Sequence, residues 1–69
     1  MNVAAILQSS RLPLTAQQIA DQLGMAIEEV YTDLVRMEGE GRARPILNYF
    51  HRENRVGIAG WIASPYWSN

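Results

Sequence analysis

Residues 15–37, TAQQIADQLGMAIEEVYTDLVRM, constrain this chain more than any other stretch. Thr15 followed three positions later by Gln18 is a capping-box start for a helix, because each residue satisfies a backbone N–H that the first turn leaves open. Ile19, Ala20 and Leu23 give that helix a short apolar stripe, and Gly24 ends it by taking the left-handed conformation of a tight turn. A second helix follows at once. Its Ile27, Val30, Tyr31, Leu34 and Val35 recur at helical spacing and fall on one face of a helix. Two helices joined by a glycine turn, the second longer and strongly amphipathic, have the layout of a helix-turn-helix.

The flanking residues extend this reading. Residues 1–9 predict a first helix, with Val3, Ile6 and Leu7 on one face. Leu12-Pro13 breaks it, since the residue before proline is pushed out of the helical region. Leu12 and Leu14 alternate around Pro13, so a short extended piece is expected there, able to pair at the edge of a later hairpin. Gly39, Glu40 and Gly41 end the third helix. From Arg42 onward the period falls to two. Ile46, Asn48 and Phe50 alternate with Leu47 and Tyr49, and Val56, Ile58, Gly60 and Ile62 alternate with Gly57, Ala59, Trp61 and Ala63. The polar residues 51–54 between these runs suit a hairpin tip. The expected fold is therefore mostly α with a small antiparallel β-hairpin (α+β), a single winged helix-turn-helix domain over residues 1–69 with a tail at 64–69. Ile6, Leu7, Leu14, Ile19, Leu23, Val30, Leu34, Met37, Ile58 and Ile62 are the expected core.

Length and composition narrow the function. A chain of 69 residues buries only about 60% of its unfolded surface, so its stability is marginal. It has no cysteine and one histidine, His51, which excludes disulfides and thiolate or multi-histidine zinc sites. At 48% hydrophobic residues it is too apolar to stay disordered. No apolar run approaches the roughly 20 residues of a membrane span. The start of the chain lacks the basic residues of a secretory signal, so a cytoplasmic location without membrane contact is expected. Catalysis is not expected either. There is no serine or cysteine nucleophile arrangement and no glycine-rich phosphate loop, and no small-molecule substrate, cofactor or metal is implied.

The net charge is −1, yet its distribution is uneven. Residues 1–40 set Arg11 and Arg36 against six acids, a net of −4; residues 41–69 set Arg42, Arg44, Arg52 and Arg55 against Glu53, a net of +3. All six basic residues are arginine, whose planar donor fork suits phosphates, guanine edges or carboxylates. Thr32 and Arg36, four apart on the third helix, are the candidate base contacts. Arg42, Arg44, Arg52 and Arg55 are the candidate contacts to phosphates or a minor groove. Glu28 and Glu29 complement the helix dipole at the first turn of the same helix. Tyr66 and Trp67 are candidate anchors for a partner or a second copy, because exposed aromatics make good hot spots.

The segment LTAQQIADQLGMAIEEVYTDLVRMEGEGRA resembles small bacterial winged-helix regulators, in which a capped T-x-x-x-I-A-x-x-L helix is followed by a turn, a helix with valine and leucine four apart, and E-x-x-G. Thr15, Ile19, Ala20, Leu23, Val30, Leu34, Glu38 and Gly41 occupy those places, and Ala26 stands where the pattern has Ser or Thr. With its short length and the closing strand GIAGWI, the chain is similar in outline to the PapI- and FaeA-type regulators of fimbrial operons. The resemblance covers about residues 3–63. It implies a regulator of transcription that binds double-stranded DNA, acting beside a larger DNA-binding protein. A single domain covers one half-site, so a homodimer or a larger regulatory partner is expected. The other reading of the residues is a winged-helix protein-interaction module that uses its acidic third helix and aromatic C-terminus.

Overall fold

The computed structural model describes residues 2–64. The order is α1 (Val3–Ser9), α2 (Ala16–Leu23), α3 (Ile27–Gly39), β1 (Ala43–Phe50) and β2 (Arg55–Ala63). Three helices and a two-stranded antiparallel hairpin make a mixed α+β domain with the layout of a winged helix. None of the described helices is long and apolar enough to cross a membrane.

Local chemistry sets each boundary. α1 begins at Val3, capped by the Asn2 side chain, which accepts the Ala5 N–H at 2.8 Å. At α2 the capping box forms in full. Thr15 Oγ1 accepts the Gln18 N–H at 3.0 Å, and Gln18 Oε1 accepts the Thr15 N–H at 2.8 Å. Gly24 closes α2 at φ +65°, a conformation that costs a residue with a Cβ. α3 has no comparable start, since Ala26 takes the extended cap geometry with no oxygen to offer.

The helices close on one another through Val3, Ile6 and Leu7 from α1, Ala16, Ile19 and Ala20 from α2, and Val30, Leu34 and Met37 from α3. The hairpin base adds Ala43, Trp61 and Ala63 to the same cluster. Leu14 and Leu23 are partly buried and pack against it, and Ile62 is buried apart from it. The extended piece around Pro13 pairs with the hairpin as expected. Leu14 N–H donates to Trp61 O at 2.9 Å, and Trp61 N–H donates to Leu14 O at 2.6 Å. Gly60 permits this approach, because a Cβ there would stand 3.0 Å from Pro13 Cβ.

One core expectation fails. Ile58 is not core but 42% exposed. The ladder runs Ile46↔Gly60 and then Leu47↔Ile58, so Ala59 is an extra residue, and the side chains beyond it change faces relative to a regular strand. The apolar face of α3 is also narrower than its periodicity suggests. Val30, Leu34 and Met37 are buried, whereas Tyr31 and Val35 are exposed. At 100° per residue Tyr31 lies about 90° and Val35 about 130° from the centre of the buried stripe.

Among the described residues Trp61 is the largest fully buried side chain, and its indole N–H finds no acceptor there. Trp61→Ala should cost about 3–5 kcal/mol. Against a total of roughly 3–10 kcal/mol for a domain this size, most of the cooperative urea transition is expected to be lost. Ala26→Ser should instead raise stability by about 0.5–1 kcal/mol by supplying the missing cap, seen as a higher urea midpoint with an unchanged slope.

Candidate nucleic-acid interface

α3 is held by its buried stripe, which turns Thr32 and Arg36 outward. Thr32 is exposed, and its hydroxyl donates to Glu28 O at 3.0 Å. Arg36 lies one turn on and pairs with Asp33 at 3.0 Å, its side chain 63% exposed. Glu28, Glu29 and Glu38 are exposed on the same helix. The outward surface of α3 is therefore mainly acidic.

The arginines expected to hold DNA fall into three places. Arg36 and Arg42 line one small cleft of about 180 Å³ with Asn2, Val3 and Ala4, between the start of α1 and the end of α3. Arg44 lines a second cleft, about 510 Å³, with Glu38, Pro45, Ile46 and Leu47, beside the free edge of β1. Arg52 and Arg55 stand at the hairpin tip. Among the described residues Arg36 pairs with Asp33, Arg42 with Glu40 at 3.2 Å, and Arg55 with Glu53 at 2.8 Å. These pairs are about half exposed or more at the guanidinium, and such pairs contribute only about 0.2–1 kcal/mol each. They lower the local positive potential without locking the side chains. Arg52 has no ion-pair partner among the described residues.

The tip itself is well ordered by its own residues. Glu53 N–H donates to Phe50 O, and Asn54 N–H donates to His51 O, both at 3.2 Å. Asn54 takes φ +51°, the left-handed region that asparagine tolerates better than most residues. The Tyr49 hydroxyl donates to the Asn54 side chain, and the Tyr49 and His51 rings meet edge to face at 4.7 Å. On the outer face the Arg55 guanidinium lies 5.3 Å from the centre of the Phe50 ring, and both cover Gly57.

Sequence reasoning missed the other face of the hairpin. Ala43, Pro45, Leu47 and Tyr49 alternate onto one side of β1. At the base this side meets the core. Beyond it, the cross-strand pairs Leu47↔Ile58 and Tyr49↔Val56 are left open, at 63%, 42%, 43% and 62% exposure respectively. The glycines at 57 and 60 in an otherwise β-rich run were the available signal for an irregular strand. Tyr66 and Trp67 lie outside the described residues. Among the described residues no cluster of three or more His, Cys, Asp or Glu side chains could hold a metal ion.

Comparison with models of known families, with curated proteins and with solved structures gave no match to this chain.

A Cβ at Gly57 would lie 2.6 Å from Arg55 Nη1 and 2.8 Å from the Phe50 ring. Gly57→Ala should therefore push both side chains away. The expected readout is loss of the ring-current shift of the residue 57 α-proton by NMR, with stability lowered by about 1 kcal/mol.

Proposed function

We propose that this chain is a DNA-binding regulator of transcription, acting in the cytoplasm as one member of a larger DNA-bound assembly. α3 lies in or beside a major groove with Thr32 and Arg36 outward, and the hairpin carries Arg52 and Arg55 to phosphates or the adjacent minor groove. Arg42 and Arg44 follow the backbone between them. The observation that carries this reading is the placing of Arg52, without an acid of its own, at the end of a hairpin that extends beyond a three-helix body.

The ion pairs explain why a second contact is needed. Freeing Arg36, Arg42 and Arg55 from their acids costs roughly 0.6–3 kcal/mol in all, up to about a hundredfold in affinity. A single chain then has micromolar, salt-sensitive affinity, and a second copy or a larger DNA-binding protein supplies the rest. A protein-interaction role is the second reading, favoured by the outward surface of α3, where Glu28, Glu29 and Glu38 are exposed and suit a basic partner.

Titration with random-sequence duplex DNA at low and moderate salt tests the proposal. The expected result is binding whose logarithm falls with log salt by about 0.9 per phosphate contacted. Arg52→Ala with Arg55→Ala should weaken it, and Glu53→Gln should tighten it while changing stability by less than about 1 kcal/mol. No binding at low salt would defeat the DNA reading and leave the protein-interaction one.

A further inference from the structure

The two faces of the hairpin beyond the core are treated differently. The outer face is covered from within: the Phe50 ring and the Arg55 guanidinium lie over Gly57. The inner face is not covered by any other described residue. Leu47, Tyr49, Val56 and Ile58 form a two-by-two apolar patch across the strands, each 42–63% exposed. A patch of four half-exposed large side chains presents roughly 400 Å², within the size range that marks functional surfaces on monomers.

We infer that this patch is the contact surface for a second copy of the same chain, the two hairpins packing face to face and antiparallel across a two-fold axis. Three observations choose this occupant. First, the hairpin tip sets Arg52 and Arg55 against Glu53, a net of +1, whereas residues 1–40 carry a net of −4. Antiparallel packing sets the basic hairpin end of each copy over the acidic helical end of the other, twice by symmetry. Second, the exposed acid Glu38 lines, together with Arg44, the cleft that Leu47 also lines, at the base of the patch. The tip arginine Arg52 of the second copy reaches this end when the patches overlap. Third, the area fits a weak self-association. Two patches bury about 800 Å² before the rim is counted, which lies below the standard stable interface. Edge-to-edge pairing is disfavoured, because Pro45 removes an N–H from the open edge of β1.

This inference does not rest on DNA binding, and its test uses the full chain without DNA. Sedimentation equilibrium over a concentration series should show a reversible monomer–dimer equilibrium. Leu47→Thr with Val56→Thr keeps β-forming residues at exposed positions and should weaken the dimer at least about tenfold, with the fold checked by circular dichroism. Glu38→Arg alone and Arg52→Glu alone should each weaken it too, because each creates two like-charge contacts. An equimolar mixture of these two variants should recover a dimer, since both contacts are then opposite in sign. A chain that stays monomeric throughout, a dimer unchanged by the Leu47 and Val56 substitutions, or a mixture that does not recover would overturn the inference.

Discussion

Two backbone hydrogen bonds exchanged between Leu14 and Trp61 join the hairpin to the helical body. They matter because nothing covalent staples this chain, which has no cysteine, and because a two-stranded hairpin alone is at best marginally stable in water. The bridge gives β2 a neighbour on its far side and seats the Trp61 ring among the helices. The indole N–H is left without an acceptor among the described residues, at a desolvation cost of about 1–3 kcal/mol. Burial of so large a ring offsets that cost. The position of the outer hairpin, including Arg52 and Arg55, depends on this bridge together with the packing of Ala43, Trp61 and Ala63 in the core.

The body of the domain was legible from residue types alone. Thr15 with Gln18, Gly24, the break at Pro13 and the polar tip at 51–54 each have one dominant local consequence, and the structure follows them. The sidedness of the hairpin was not legible in the same way. Strict alternation places Ile58 with Ile62, and a single added residue at position 59 undoes that phase. On α3 only part of the apolar stripe is buried. Tyr31 and Val35 fit a helical stripe, but the core available to a chain of 69 residues is too small to cover a stripe that wide.

The arginines teach a related lesson. Counting them as a basic set ignores the acids placed two or three positions before Arg36, Arg42 and Arg55. Those spacings bring side chains together on one helix face or one side of extended chain, so the pairs could have been read from the sequence. What could not be read is which cleft each guanidinium borders, because that depends on how α1, α3 and β1 meet.

The extra residue at Ala59 works as a phase shifter. Proximal to it, the hairpin answers to the domain's own interior; distal to it, the outer half is free to vary with whatever it touches. Drift in the outer half need not disturb the base, so long as insertions and deletions are avoided there. Removing one residue beyond position 59 would swap the apolar pairs with the Asn48 and Gly57 side.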